Sequence, residues 1–127
     1  MPNFERFGVM LDVSRNAVIK VTELKKYIDY ISKMGYNCLE LYAEDTYKID
    51  GEPYLGYLRG GYTKEEIKEI DAYAKSKGIE LIPCIQTLAH ITNMCKIPNY
   101  WDIIDCDDIL LIDSEKTYAF LDNIFKN

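Results

Sequence analysis

The sequence contains little of what metal and nucleotide sites are usually made from. It has one histidine, His90, and its four cysteines include no Cys-x-x-Cys pair, so it carries no zinc signature. No Gly-x-Gly-x-x-Gly stretch and no P-loop follows any of the predicted strands, which argues against a nucleotide site. We therefore expect neither a metal ion nor a nucleotide to be bound.

Positive charge is also scarce. The chain has 15 lysines and arginines against 21 acidic residues, a net charge of −6, whereas nucleic acids and anionic membranes are bound by basic patches. No apolar run approaches the roughly 20 residues that cross a bilayer, and the polar N-terminus shows no secretory signal. We interpret the cysteines as reduced thiols and predict a cytoplasmic protein that binds neither nucleic acid nor membrane. The four cysteines are Cys38, Cys84, Cys95 and Cys106.

Three short apolar runs are typical of strands that are buried in a parallel sheet. They cover residues 7–13, 37–42 and 79–85. A loop of residues 46–62, rich in tyrosine and glycine, follows the second strand, and long loops at this position are often functional. Residues 91–108 are expected to be irregular or partly helical, and residues 109–112 form an apolar run that is too short to assign.

Amphipathic segments between these runs predict three helices. The first covers residues 21–34, with Thr22 as its N-cap and Gly35 as its left-handed C-cap. The second begins at a capping box at Thr63 and ends at Gly78, and the third follows Asp113 or Ser114. The resulting βαβαβα order predicts one α/β domain with a parallel sheet. It is either the first part of a (β/α)₈ barrel, which takes about 250 residues, or a small open α/β domain.

Polar side chains follow each predicted strand at its carboxyl end. Because these ends meet at one edge of a parallel sheet, they predict a site for a polar ligand. From the residues alone, Arg15 is either part of such a site, a solvated loop residue or the partner of Asp12. The other groups also have structural alternatives, as caps, turns or a packed histidine. The candidates are Asp12, Arg15, Glu44, Asp45, Gln86 and His90.

Four motifs together resemble the N-terminal part of the catalytic barrel of family 20 glycoside hydrolases, the β-N-acetylhexosaminidases, and most closely the hexosaminidase D-like branch. The order and spacing agree over roughly residues 7–125. This resemblance implies a partial TIM (β/α)₈ barrel of about three βα units, with residues 1–127 as an N-terminal fragment of the catalytic domain. The motifs are Gly-Val-Met-Leu-Asp-Val-Ser-Arg at 8–15, Leu-Tyr-Ala-Glu-Asp at 41–45, Arg-Gly-Gly-Tyr-Thr at 59–63 and Ile-Pro-Cys-Ile-Gln-Thr-Leu-Ala-His at 82–90.

The resemblance also implies roles for individual residues. Arg15 matches the arginine that grips hydroxyls of the terminal sugar, and we place Asp45 beside it as a substrate-binding residue. Glu44, where many members carry Asp, matches an acidic position behind the catalytic acid, with His90 as its partner in a carboxylate–histidine–acid relay. The third strand departs from the pattern of the better-known branch at four positions: Cys84, Gln86, Leu88 and Ala89.

The reaction implied by the resemblance is substrate-assisted retention on a terminal β-linked N-acetylhexosamine, without metal or organic cofactor. An adjacent Asp-Glu pair performs the protein's part. No aspartate is directly followed by glutamate in this sequence, so we expect no catalytic residue in this chain and no glycosidase activity from it as given.

An open three-stranded sheet leaves an unpaired edge and an apolar inner face exposed, so we also expect the chain to self-associate through its edge or its inner face. A non-catalytic sugar-binding or assembly module of α/β fold is the alternative function. A small α/β signalling domain is less well supported, since the third strand has no lysine at its end.

Overall fold

The computed structural model describes residues 4–15 and 17–127. Residues 1–3, where the polar N-terminus begins, lie outside the described residues. Three parallel strands, β1 (Gly8–Asp12), β2 (Cys38–Ala43) and β3 (Glu80–Ile85), form a sheet in the order β1-β2-β3. This arrangement confirms the predicted α/β class, and each strand lies within one residue or two of its predicted limits.

In the part of the chain that the structure describes, four α-helices accompany the sheet. They are α1 (Val21–Lys33), α2 (Lys64–Ser76), the single turn α3 (Thr92–Cys95) and α4 (Glu115–Lys126). A 3-10 helix, Pro98–Ile103, follows α3. None of the helices in the described part of the chain is long and apolar enough to cross a membrane.

The caps of the helices agree with the sequence in all but one case. The Thr63 hydroxyl accepts a hydrogen bond from the backbone N–H of Glu66, whose carboxylate accepts one from the Thr63 N–H, so the capping box is complete. Gly35 adopts a φ of 86°, as a left-handed C-cap requires. The prediction of Thr22 as an N-cap is wrong. Lys20 takes that position without a side-chain cap, because its carbonyl accepts from the N–H groups of Glu23 and Leu24.

After β3 the structure contains two short strands that were not predicted from the sequence. Strands β4 (Ile104–Cys106) and β5 (Ile109–Leu110) pair as an antiparallel hairpin. The last helix is capped by Ser114, whose hydroxyl accepts from the backbone N–H of Thr117 at 3.4 Å.

Two groups of buried side chains hold these elements together. The first lies between the sheet and helices α1 and α2, around Leu24, Ile28, Leu39 and Ile70. The second lies under the hairpin, the 3-10 helix and α4, and includes Met94, Tyr100, Leu110, Phe120 and Leu121. The loop after β2 reaches the second group through Ile49 and Leu55, so it is packed into the fold rather than solvated.

Candidate functional site

Ser14 joins the carboxyl ends of β1 and β2. Its N–H donates to Oδ1 of Asp12 at 2.7 Å, and its Oγ accepts from the backbone N–H of Glu44 at 2.7 Å. The same Oγ lies 3.3 Å from Oγ1 of Thr46. The contacts with Glu44 and Thr46 are buried, and the three contacts together fix the turn that presents Arg15 against the end of β2.

Arg15 projects from this turn onto Glu44. Its Nη1 donates to Oε1 of Glu44, and the hydroxyl of Tyr42 donates to the same oxygen at 3.0 Å. The guanidinium carbon also lies 5.7 Å from the centre of the Tyr42 ring, a cation–π distance. The Nε atom is 3.6 Å from Oδ2 of Asp12, so Glu44 is the closer of the two carboxylate partners.

The two sides of this ion pair differ sharply in exposure. The Glu44 side chain is 4% exposed, whereas the Arg15 side chain is 60% exposed. The carboxylate is therefore internal and holds the guanidinium from behind, while the outer side of the guanidinium faces solvent. The N–H groups on this side of the guanidinium can donate two parallel hydrogen bonds, to vicinal hydroxyls or to a carboxylate of a ligand.

Arg15 and Tyr42 both keep their protons near neutral pH, since the pKa of each is raised. The Glu44 carboxylate raises the pKa of Arg15. Burial raises the pKa of Tyr42, and its hydrogen bond to Glu44 adds to the effect. Arg15 is thus a permanent cation beside a tyrosine that keeps its proton.

Asp45, the neighbour of Glu44, lies inside the protein. It is 2% exposed, and its Oδ1 is 2.5 Å from Nη1 of Arg59. Arg59 also donates from Nη2 to the backbone carbonyl of Ser14. Burial raises the pKa of Asp45, and the charge of Arg59 lowers it in part. In this arrangement the Asp45 carboxylate is directed at Arg59 inside the protein rather than at solvent.

No role was predicted for Arg59, although it lies in one of the four motifs. Its partners are 14 and 45 residues away, and no local periodicity links such positions. The conspicuous signal was its place at the end of a long loop, directly before a pair of glycines.

His90 lies apart from the Arg15–Glu44 pair. Its backbone adopts a φ of 62°, and its Nδ1 is 3.5 Å from Oδ2 of Asp108, with the side chain 59% exposed. Within the described residues, the hydrogen bonds of Glu44 go to Arg15, Tyr42 and Ser14. The structure therefore brings Arg15, Glu44 and Asp45 together and leaves His90 facing the hairpin.

Metal binding gains no support from this geometry. In residues 4–15 and 17–127, no group of three or more histidine, cysteine, aspartate or glutamate side chains is arranged to hold an ion. The site consists of one exposed cation on a buried acidic support, a combination suited to neutral polar or anionic ligands.

Comparison with known proteins extends these observations. The family model of the glycosyl hydrolase family 20 catalytic domain matches residues 4–127. A Beta-hexosaminidase from Akkermansia muciniphila is 30% identical over 107 residues, which are 70% of this chain and 22% of that protein. Beta-hexosaminidase 3 from Arabidopsis thaliana is 27% identical over 99% of this chain and 25% of its own length.

Solved structures agree in the path of the chain. A mutant beta-hexosaminidase from Streptomyces plicatus, in complex with GlcNAc, superposes with a TM-score of 0.82 at 30% identity, over 97% of this chain and 30% of that one. A GH20 beta-N-acetylhexosaminidase from Streptomyces coelicolor gives 0.83 at 29% identity, with the same coverage. The fold is therefore a partial TIM barrel, as expected from the sequence, and the chain spans about a quarter of the length of the curated relatives it matches.

Proposed function

This chain belongs to the glycosyl hydrolase family 20 catalytic domain, and we propose that it forms part of the sugar-binding face of a β-N-acetylhexosaminidase. The substrate would be a glycan with a terminal β-linked N-acetylhexosamine. The observation that carries this proposal is the exposed guanidinium of Arg15 held from behind by buried Glu44. The relatives named as beta-hexosaminidases support the reaction class.

The support behind Arg15 is what makes it suitable for sugar binding. A free arginine loses rotamer entropy when it grips a ligand. Here the contacts with Glu44 and Tyr42 have already fixed the guanidinium, so less entropy remains to be lost. Neutral hydroxyls then meet a preorganised donor with a full positive charge.

We assign supporting rather than reacting roles to the other two polar groups. Glu44 orients Arg15, and its buried position rules out direct contact with a sugar in this arrangement. For His90 the relay with an acid remains a proposal based on the family resemblance. It requires that the imidazole turn from Asp108 toward the site.

We also propose that the 127 residues by themselves bind the sugar without hydrolysing it. Retention in this class needs an acid to protonate the leaving oxygen and a carboxylate to orient the acetamido group. No Asp-Glu pair occurs in the sequence. Turnover of a chromogenic β-GlcNAc substrate by the pure chain would disprove this part of the proposal.

The binding part is tested by NMR titration of the labelled chain with methyl β-N-acetylglucosaminide. Saturable shifts around residues 12–15 and 42–46 are expected, and Arg15→Ala should weaken the affinity at least tenfold. Arg6→Ala is the matched control, since Arg6 pairs at 3.1 Å with Glu80 at the opposite end of the sheet. Equal affinity in the Arg15→Ala variant would refute the role of Arg15.

Self-association is a separate proposal that rests on the edge of β3. The N–H groups of Glu80 and Gln86 point to β2, so those of Leu81 and Ile85 point away from it, and Pro83 between them has no N–H. A cavity of about 390 Å³ lined by Leu81, Pro83, Ile67 and Ile124 adjoins this edge. We propose that a second copy pairs with it. Light scattering that gives a monomer at all concentrations would contradict this.

The compartment is proposed on the cysteines alone. Cys38, Cys84, Cys95 and Cys106 are all free thiols, which is typical of reducing compartments such as the cytoplasm. Fractionation of cells that produce the protein, with an antibody against this chain, is the direct test.

A further inference from the structure

Asp12 is the acid beside Arg15 that solvent reaches. It is the last residue of β1, and its backbone is in register with Tyr42 of β2. The Asp12 side chain is 38% exposed, whereas the Glu44 side chain is 4% exposed and Asp45 is 2% exposed. Of these three acids at the carboxyl ends of β1 and β2, Asp12 is therefore the one that a ligand can contact.

The two carboxylate oxygens of Asp12 have different surroundings. Oδ1 accepts a hydrogen bond from the N–H of Ser14 at 2.7 Å, so the backbone fixes the direction of the carboxylate. Oδ2 is 3.6 Å from Nε of Arg15, which is longer than a good hydrogen bond of about 3 Å. Each oxygen of a carboxylate can accept about two hydrogen bonds. Oδ2 thus keeps acceptor capacity at a fixed position next to the guanidinium.

Arg15 does not depend on Asp12 for its orientation. Nη1 of Arg15 donates to Oε1 of Glu44, and the guanidinium carbon lies 5.7 Å from the centre of the Tyr42 ring. Because Glu44 supplies the nearer negative charge, Asp12 can offer Oδ2 to a ligand and leave the guanidinium supported. A donor and an acceptor therefore lie side by side at the carboxyl end of β1.

A sugar hydroxyl requires both kinds of partner. It has one O–H donor and two acceptor lone pairs, whereas an arginine has donors only. Arg15 can therefore satisfy the oxygen of a hydroxyl but not its hydrogen. A carboxylate oxygen beside the guanidinium accepts that hydrogen, and hydrogen bonds to charged groups are stronger than those between neutral groups.

We propose that Asp12 is a second sugar-binding residue, whose Oδ2 accepts the hydrogen of a hydroxyl to which Arg15 donates. This proposal rests on the proposed function above. It gives to Asp12 the part that was predicted for Asp45, because the Asp45 carboxylate is paired with Arg59 inside the protein. A site of this kind discriminates against a ligand in which the hydroxyl is replaced by a group that cannot donate.

The test measures affinities by NMR titration of the 127-residue chain. The ligands are methyl β-N-acetylglucosaminide and its 3-, 4- and 6-deoxyfluoro analogues, since fluorine is close to a hydroxyl in size and donates no hydrogen bond. The unaltered chain should bind one of these analogues about tenfold more weakly than the parent glycoside. The position of the fluorine in that analogue identifies the hydroxyl that donates to Asp12.

Two variants of Asp12 separate sugar binding from the support of the turn. Asp12→Asn keeps Oδ1 for the N–H of Ser14 and places an amide NH₂ where Oδ2 accepts. It should bind the parent glycoside about tenfold more weakly and the identified analogue with unchanged affinity, so that the discrimination disappears. Asp12→Ser should have the same two effects, because a serine hydroxyl can also accept from the N–H two residues further on.

The matched control is Glu40→Gln, which removes an acid from β2 at the position in register with Met10. It should keep both the affinity and the discrimination. Full affinity for the parent glycoside in both Asp12 variants, while Arg15→Ala still loses it, overturns the role of Asp12 and leaves the proposed function intact.

Three other results also count against the proposal. An equal loss of affinity for the parent glycoside and the analogue in the Asp12 variants shows that Asp12 only holds the turn. Equal binding of the parent and all three analogues by the unaltered chain shows that no ring hydroxyl donates to it. Absence of any binding of the parent glycoside to the unaltered chain overturns this proposal and the proposed function together.

Discussion

Arg59 and Asp45 form an internal ion pair that joins the loop after β2 to the strand end beside Glu44. Nη1 of Arg59 lies 2.5 Å from Oδ1 of Asp45, and Nη2 reaches the carbonyl of Ser14. One guanidinium thus bridges the ends of two parallel strands. We infer that this pair positions the turn that carries Arg15, and that Asp45 acts on sugar binding through Arg59.

Removal of the Arg59 charge alone should lower the free energy of unfolding more than removal of both charges of the Arg59–Asp45 pair. Arg59→Gln leaves the buried Asp45 carboxylate without a partner, and we expect a loss of about 3 kcal/mol in the free energy of unfolding. The double variant Asp45→Asn with Arg59→Gln should recover much of that loss, because no unpaired charge stays buried. Urea denaturation measures both.

In the same variants, the affinity for the sugar distinguishes a role of the Arg59–Asp45 pair in positioning Arg15 from a role in stability alone. The double variant should remain weak for methyl β-N-acetylglucosaminide even where its stability is recovered, since the link to Ser14 is altered. Disruption of the exposed pair of Lys116 and Asp102 is the control and should change stability by less than about 1 kcal/mol. Full affinity in the stable double variant would contradict a positioning role.

Gly56 should tolerate no side chain. Gly56→Ala places a Cβ on the Asp45 carbonyl oxygen at a φ of 62°, so both overlap and backbone strain apply. Gly35→Ala is the matched control, because Gly35 has a φ of 86° and open space around it, and strain alone should cost about 1–2 kcal/mol. The denaturant midpoint should be highest for the unaltered chain, lower for Gly35→Ala and lowest for Gly56→Ala. Equal losses of stability in the two variants would show that the backbone at Gly56 moves enough to avoid the overlap with the Asp45 carbonyl.

The two threonines near helix starts should behave in opposite ways. Thr63→Ala removes the hydroxyl that caps α2 and should cost about 1 kcal/mol. Thr22→Ala lies inside α1, at an exposed position without a capping bond. It should therefore be neutral or slightly stabilising, because alanine favours helix. Thermal unfolding of both variants decides this, and a comparable loss in Thr22→Ala would restore it as a cap.

Asp29 should make stability depend on acid pH. It lies 2.7 Å from Nζ of Lys77 and accepts from the Tyr73 hydroxyl at 3.0 Å, and these groups hold the pKa of Asp29 below its ordinary value. An acid whose pKa is lowered by folding stabilises the folded state above its unfolded pKa. That contribution disappears as the pH falls through the lowered value.

The measurement compares melting temperatures of the unaltered chain and Asp29→Asn between pH 7 and pH 3. The difference should be present at neutral pH, begin to shrink below about pH 4 and continue to shrink down to pH 3. Because the side chains of Lys77 and Asp29 are each about a third exposed, the difference itself should be small. Lys77→Gln should show the same convergence. A difference that stays constant over this range would mean that the carboxylate charge is not involved.

Local features of the sequence determined the class of the fold and most of its elements. The apolar runs of β1, β2 and β3, the capping box at Thr63 and the turn at Gly35 all depend on residues a few positions apart. Such patterns express the geometry of the strand and helix themselves. The motifs around Arg15 and His90 likewise pointed to the family that matches residues 4–127.

Only the tertiary structure decided which charges meet. Arg15 reaches Glu44 across 29 residues and Arg59 reaches Asp45 across 14, and both pairings depend on the register of parallel strands and on the path of the loop between them. For the same reason the sequence could not place His90 beside Asp108 or pair the short strands β4 and β5. Periodicity encodes which face of an element is buried, whereas the partner of a charged side chain is fixed by elements that pack from elsewhere in the chain.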